Sequence, residues 1–419
     1  MSEVTESQVA VVGGGIVGTA VACVLQRRGY RVTLIDGAEA PERASYGNAG
    51  FLATELIDPL ATMSSVRAAP GMWWRSDQPL SIPPAYLPRL APWLWRFVRA
   101  AGDRQAAAGR RALSALNQQS VAAWQRLLAE FELDAMLQRC GYLMTWESQT
   151  GRAAAQRHAA HLRQWDIECE LLDQAGVRHH EPGLTPNVSH ALYFPNAYRV
   201  VDPQAILDAL QAAFVACGGR WRQCRVTGLT SEADHVRCQM SDGEQAFDRV
   251  VVCAGAWSHE LLRPLSGRIP LETERGYHLT FGAGAPALRH AVGSVERRVV
   301  LNGLSSGLRI VGFTELGGLE RPPTPRHFDV LAVQAKALLA DGDRLGEEEP
   351  AFWMGFRPSL PDSLPVIDQL AAHPRVFCAF GHQHLGVTQA AITAELIAAR
   401  MVGERPEIDL TQYSLSRFQ

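Results

Sequence analysis

The chain has 419 residues, 47% of them apolar and 20% charged, with a formal net charge of −3. These are the proportions of a globular protein of about two domains, and the charge balance gives no reason to expect a nucleic-acid binder. No apolar run reaches the eighteen residues of a bilayer crossing, Met1–Ser7 is too polar for a secretory leader, and eight cysteines without a C-x-x-C pair point to free thiols in a reducing cytoplasm.

The first predicted element is a short apolar strand at Ser7–Val12, and Gly13-Gly14-Gly15-Ile16-Val17-Gly18 follows at once. A helical run over Thr19–Arg28 comes next, then a second strand over Arg31–Ile35 that ends in Asp36. Strand, G-x-G-x-x-G turn, helix, strand and acid, in that order, are the pattern of an adenine-dinucleotide site. Gly13 permits the tight turn, Gly15 lets a pyrophosphate approach the backbone, and Gly18 lets the helix lie close on the strand. The helix N-terminus presents unpaired N–H groups and a partial positive charge to the phosphates. Asp36 can accept hydrogen bonds from the ribose hydroxyls, and its charge repels a 2′-phosphate.

Met72–Ala100 is unusual, holding Trp73, Trp74, Trp93 and Trp95 with Tyr86, several prolines and several arginines. It reads either as an interfacial segment touching a membrane or a quinone, or as a connection whose tryptophans pack into or over a pocket. Helices are predicted near Arg111–Glu130, Gly151–Trp165 and Pro203–Cys217 from apolar residues spaced by three and four. Alternation predicts strands at Gly141–Trp146, Ala191–Pro195, Gly276–Phe281, Arg298–Asn302 and Leu308–Thr314.

Asp248–Ser258 reads as an apolar strand, Val250–Cys253, that ends in Ala254-Gly255-Ala256. Small residues at a strand end fit a backbone passing under a dinucleotide, so the chain returns to the first site two hundred residues later. A simple nicotinamide dehydrogenase needs no such return, whereas a flavin enzyme with extended FAD does. Near the C-terminus, Trp353–Ile367 is predicted to be a proline-punctuated loop framing Arg357. A strand at Arg375–Ala379, a loop at Phe380–Gly386 and a helix at Val387–Met401 follow. They make a second anion-friendly helix terminus.

GGGIVG with Asp36, SYGNAGF at 45–51, VVVCAGAWS at 250–258, GFRPSLPDSLPVI at 355–367 and GHQHLGVTQA at 381–390 stand in this order. Together they resemble the D-amino-acid oxidase/dehydrogenase superfamily of flavoproteins, end to end. Within it the chain looks most like bacterial D-amino-acid dehydrogenases, and ERGYH at 274–278 with GHQHLG at 381–386 leans toward the D-hydroxyproline dehydrogenase branch. The resemblance implies an α/β fold: a glutathione-reductase-like FAD-binding Rossmann domain and a second, β-sheet-based substrate domain. The FAD domain would collect residues 1–56, 200–266 and 346–419, and the substrate domain 57–199 and 267–345.

By the same resemblance, FAD would be contacted by Gly13, Gly15, Ile16, Val17, Gly18, Asp36, Gly37, Ser45, Asn48, Ala49 and Gly50. Val226, Ala254, Gly255 and Trp257 would add to these, with Arg357 and the run Gly381, His382, Gln383, His384, Leu385 and Gly386. Tyr46 and Asn48 would stand beside the isoalloxazine. No histidine or cysteine occupies the positions where relatives attach flavin covalently, so the FAD is expected to be dissociable.

An amino-acid carboxylate desolvated beside a flavin demands an arginine, whose planar fork gives two parallel hydrogen bonds. Arg357 is the first candidate and Arg275 the second, the latter at the start of a strand expected to face the pocket. Tyr277, two residues on, should share the face of Arg275 and reach the carboxylate or a substrate hydroxyl. His384 is the histidine expected near the flavin ring. No metal is expected, because neither His382/His384 nor His179-His180 has a patterned acidic or cysteine partner. Many superfamily oxidases carry another arginine near Asn302–Gly303, and this sequence has none there.

The chemistry expected is hydride transfer from Cα to flavin N5, giving an imino acid. Its substrate would be a D-amino acid, cis-4-hydroxy-D-proline or D-proline first. A glycine- or sarcosine-type oxidase and an FAD-carrying subunit of a larger amine dehydrogenase are the alternatives. In sarcosine-oxidase relatives a lysine activates oxygen. Lys336 is the only lysine here and sits in a helical setting away from the flavin motifs, so a quinone or other acceptor is expected rather than oxygen. The expected location is the cytoplasm, with any membrane contact at its inner face, and nucleic acid is not an expected partner.

Overall fold

The computed structural model describes residues 7–39, 42–73, 80–148, 150–282, 284–346 and 349–419. Trp74, in the tryptophan-rich stretch, lies outside the described residues.

Two large sheets organise the chain. The first has six strands in the order Arg220–Gln223, Arg31–Asp36, Gln8–Val12, Arg249–Val252, Val376–Phe380, Val366–Gln369. All pairings are parallel except the last. Parallel strands buried on both faces must be apolar at consecutive positions, and the runs QVAVV and RVVV are. Val9 and Val11 enter a core with the Ile16–Arg27 and Gly386–Met401 helices, while Ala10 and Val12 enter a second core under Leu229, Val236 and Leu262. The α/β reading of this half holds, with the first helix starting three residues earlier than the pattern suggested.

The second sheet is mixed. Its path runs Ala351–Ser359, Glu272–Phe281, Gly307–Leu316, Val299–Leu304, Ala291–Ser294, Tyr142–Trp146, His190–Phe194, Glu170–Asp173, with Leu80–Ser81 paired beside Gly307–Leu316. Every strand expected from alternation is present with its ends shifted. The helix expected at Arg111–Glu130 is longer, Asp103–Ala129. One face of the sheet packs on the Pro325–Leu338 helix through Leu279, Ile310, Leu331 and Leu338.

One expectation needs correcting. Trp353–Ile367 is not one loop, because Ala351–Ser359 is a strand antiparallel to Glu272–Phe281, with Arg357 opposite Glu274. Pro358 misled the reading. It is tolerated because the strand lies at the edge of the sheet, where a missing N–H donor costs no ladder bond. This strand, inside the 346–419 segment expected in the FAD domain, is thus hydrogen bonded into the mixed sheet.

The two sheets are joined along residues 45–50. Arg309 Nη1 donates to the carbonyls of Tyr46 and Asn48 at 3.0 and 2.8 Å. His278 Nδ1 donates to Gly47 O at 3.1 Å and Asn302 Nδ2 to Ala49 O at 2.7 Å. Three side chains of the mixed sheet thus hold four consecutive carbonyls of the loop that follows the first βαβ unit.

Candidate active site

The glycine turn is built as its spacing required. Gly13 has φ +110°, and a Cβ there would overlap the Cys253 carbonyl. A Cβ on Gly18 would overlap Gly13 O, so the helix sits directly on its strand. Gly15 caps the helix in an extended conformation without a side-chain partner, facing open space apart from Ser45 Oγ. That hydroxyl accepts from Ile16 N at 3.0 Å. The Asp36 carboxylate accepts from Gly14 N at 2.8 Å, Ala38 N at 2.9 Å and Arg43 Nε at 2.8 Å. Asp36 is thus ion-paired as well as poised for a ribose.

From this turn one cavity of about 1470 Å³ runs along the ends of the parallel strands and into the space under the mixed sheet. Its wall brings together Gly13, Gly15, Ile16, Val17, Asp36, Gly37, Ser45, Asn48 and Ala49 with Val226, Ala254, Gly255 and Trp257. The C-terminal loop adds Gly381, His382, Gln383, His384 and Gly386, and the edge strand adds Arg357. Four expected contacts lie outside the wall, one of them Tyr46, whose ring lies 6.4 Å from that of Trp353. Gly18 is taken up by helix packing, Gly50 turns at φ +74° against Leu304, and Leu385 points into the first core.

The C-terminal loop is held from behind. His382 Nε2 bonds Thr393 Oγ1 at 3.0 Å, and burial pushes the imidazole down to about 3, so it is neutral. Gln383 takes φ +51°, a strained choice for a branched-free but non-glycine residue, and its amide donates to Ser359 Oγ at 3.0 Å. Ser359 Oγ donates to Glu274 Oε1 at 2.7 Å, and burial raises that carboxyl. His384 is pushed down to about 4 by burial and then by the Arg357 cation.

Four arginines line this cavity, Arg43, Arg225, Arg298 and Arg357, and Arg357 is the one on the edge strand. Its guanidinium lies over Gly276, where a Cβ would overlap it, and Nη1 donates to Phe313 O at 3.1 Å. The carbonyl is free to do so because a β-bulge opposite Gly276 puts Phe313 at φ +62°, turning it out of the ladder. No carboxylate lies within ion-pair distance of Arg357 among the described residues. Nε and Nη2 of this cavity-lining side chain make no hydrogen bond among the described residues.

Arg275 and Tyr277 share a face, as expected, but it is the opposite one. Arg275 is fully buried, bonding Glu315 at 3.2 Å and the carbonyls of Arg321 and Pro322. Tyr277 Oη donates to the same Glu315 and accepts from Thr324 N at 3.1 Å. Both side chains point into the core beneath the Pro325–Leu338 helix and line no part of the cavity. On the other face of the strand Glu274 lines the cavity, Gly276 lies under the Arg357 guanidinium and His278 meets the seam. His278 stacks on Trp353 with ring centroids 4.9 Å apart, and Trp353 also lies against Gly47 and Gly355.

Sequence reasoning missed several wall residues. Glu274 and Trp353 follow from strand parity once the cavity face is known. Glu55 and Tyr142 lie where the loop after Phe51 meets the mixed sheet, and no local pattern marks either as a wall residue. The tryptophan-rich stretch forms a helix, Leu87–Ala100, whose Trp93, Leu94 and Phe97 line the cavity. Trp93 Nε1 bonds Ser359 O at 3.4 Å, while Trp95 is 58% exposed.

Comparison with known proteins agrees with this geometry. A family model described as FAD dependent oxidoreductase (DAO) matches residues 8–400. A D-amino-acid oxidase from Bradyrhizobium diazoefficiens is 32% identical over 419 residues, covering 98% of each chain. Glycine oxidase from Geobacillus kaustophilus superposes with a TM-score of 0.79 at 21% identity, over 99% of both chains. L-proline dehydrogenase from P. horikoshii gives 0.76 at 17% identity, over 99% of this chain and 98% of that one.

Proposed function

Because the chain belongs to the family of FAD-dependent oxidoreductases of the DAO type, we propose that it dehydrogenates the Cα–N bond of a D-amino acid, cis-4-hydroxy-D-proline or D-proline first. The observation that carries this reading is Arg357: a half-buried guanidinium in the wall of the cavity that the glycine turn opens, with one backbone partner and no carboxylate partner among the described residues. A carboxylate entering there completes a bidentate pair in a site that excludes water, where such a pair is strongest.

The residues present fit FAD. A Cβ at Gly13 or Gly18 would overlap backbone, Gly15 leaves room for phosphate, and the wall is continuous from Asp36 to Arg357. Bound FAD supplies the hydride acceptor. The protein's own part is positioning. Arg357 fixes the carboxylate, and the Phe313 carbonyl fixes Arg357 in turn. Gln383, Ser359 and Glu274 hold the C-terminal loop against the edge strand. His384 stays neutral beside Arg357 and so does not repel an incoming cationic amine.

Dehydrogenase rather than oxidase is supported by Lys336, which lies in the last turn of Pro325–Leu338 and takes no part in the cavity wall. A quinone is the proposed acceptor, because Leu94, Phe97 and Val98 give the cavity an apolar side. No helix among the described residues is long and apolar enough to cross a membrane. We place the protein in the cytoplasm, with Trp95 and Val98 as the surface for any contact with the inner membrane face. A glycine- or sarcosine-type oxidase is the second reading, favoured by the fold shared with glycine oxidase.

The test is anaerobic flavin bleaching with cis-4-hydroxy-D-proline, D-proline, sarcosine and glycine, followed by turnover with a quinone analogue and with oxygen. Bleaching by the prolines and faster turnover with quinone are expected. Bleaching by sarcosine or glycine alone, with rapid peroxide formation, replaces the first reading by the second.

A further inference from the structure

The cavity holds a second polar group that binding a carboxylate does not use. Glu55 lines it, 4% exposed, and its Oε1 has no hydrogen-bond partner among the described residues. No arginine, lysine or histidine stands within ion-pair distance of it there. Tyr142 lines the same cavity, 5% exposed, with its ring stacked on Phe51 at 4.3 Å and its hydroxyl over Gly293, where a Cβ would overlap it. That hydroxyl likewise makes no hydrogen bond among the described residues. The two groups sense each other, since the Glu55 charge adds to the burial that raises the Tyr142 phenol.

A carboxyl with one unpartnered oxygen and an unpartnered phenol in one wall are costly to stability, and a binding site is where such a cost is retained. Both stand where the loop after Phe51 meets the Tyr142–Trp146 strand, on the mixed-sheet side, while Arg357 comes from the edge strand of the same sheet. We propose that Glu55 and Tyr142 form a polar subsite that takes a hydroxyl group on the side chain or ring of the amino acid whose carboxylate Arg357 holds.

A hydroxyl both donates and accepts, and so can satisfy a carboxyl and a phenol together. A cationic side chain can only donate and would require Glu55 to be ionised. Burial instead pushes the Glu55 carboxyl up to about 8, which keeps it protonated at neutral pH and matches the hydroxyl. The inference rests on the reaction proposed above only for which end of the ligand Arg357 holds.

The experiment uses the flavin-loaded protein and ligand pairs that differ by one hydroxyl. These are cis-4-hydroxy-D-proline against D-proline, D-threonine against D-2-aminobutyrate, and the non-reacting pair trans-4-hydroxy-L-proline against L-proline. D-lysine against D-norleucine is the cationic arm. Dissociation constants come from the flavin spectrum and kcat/KM from anaerobic bleaching. Wild type should favour the hydroxylated member roughly tenfold or more, as a buried hydrogen-bonding site does against an analogue lacking the group. Glu55→Gln, whose amide also donates and accepts, should keep that preference within about threefold. Glu55→Leu and Tyr142→Phe should reduce it toward unity while flavin content stays intact. Glu55→Leu should also melt no lower than wild type, because it removes a buried carboxyl with one unpartnered oxygen, and this separates a lost subsite from a damaged fold.

Hydroxyl preference in binding without turnover keeps the subsite and refutes the reaction. Turnover with equal kcat/KM and equal binding for both members refutes the subsite and keeps the reaction. A Glu55-dependent preference for D-lysine overturns the hydroxyl assignment, as does an unchanged preference in Glu55→Leu.

Discussion

Gly276→Ala tests the carboxylate anchor without touching it. Gly276 has an ordinary extended backbone, so alanine fits the strand, but its Cβ would occupy the space filled by the Arg357 guanidinium. The guanidinium must move, and its bond to Phe313 O at 3.1 Å is lost or misdirected. One hydrogen bond to a charged group contributes about 1.5–3 kcal/mol. At about 1.4 kcal/mol per factor of ten, kcat/KM for an amino acid should fall by roughly one to two orders of magnitude, chiefly through KM. Flavin content should not change, because Gly276 is outside the cofactor wall. Rapid-mixing measurement of anaerobic flavin reduction gives both constants, and a carboxylate-free amine such as pyrrolidine is the control. Wild-type kinetics in the variant, or an equal loss for pyrrolidine, would refute the role given to Arg357.

Glu315→Gln removes the partner of the buried Arg275 and should destabilise the fold by about 3–5 kcal/mol, seen in denaturant melts, while the folded fraction keeps its substrate constants. Loss of carboxylate affinity without loss of stability would return Arg275 to the binding site. Acid should weaken the fold early: His278 and His382 are held near 3 and His384 near 4, against an ordinary value of 6.5. The unfolded chain therefore takes up their protons first, so stability is full above about pH 6.5 and falls below it, by about 2 kcal/mol per histidine at pH 5. Equal denaturation midpoints at pH 7 and pH 5 would contradict this. The purified protein should be yellow and should release intact FAD on acid precipitation, with Asp36→Ala weakening retention. Flavin fluorescence left in the pellet would show a covalent bond instead.

The glycine turn, its acid and the two later returns to the site were legible because their requirements are local. A tight turn, a close helix and a small residue at a strand end each leave a mark within a few positions. Arg357 was legible as a residue but not as an element, since the prolines around it mark an edge strand as readily as a loop. Arg275 and Tyr277 show a different limit. Alternation says which residues share a face, not which face meets the cavity, and TERGYH carries polar groups on both. The glycine was the informative letter there, because it marks the side on which something large must pass. Glu55 was invisible for a third reason. Nothing in FLATELI tells an acid at a surface turn from one shut in a wall, and only the long-range meeting with Tyr142 decides it.

The four carbonyls held along residues 45–50 have a mechanical consequence. A clamshell opening of the two sheets would break the bonds from Arg309, His278 and Asn302 together. Ligand traffic by hinge motion is therefore expensive in this protein. The cheaper route is a side door, past Val66 and Ala69 of the Met63–Trp73 helix and Leu94 and Phe97 of Leu87–Ala100, where apolar contacts can part and close with no polar bond lost. Amide hydrogen exchange would tell the two apart. A side door leaves the seam amides at 45–50 slow during turnover while those of the Leu87–Ala100 helix speed up, and a hinge does the reverse.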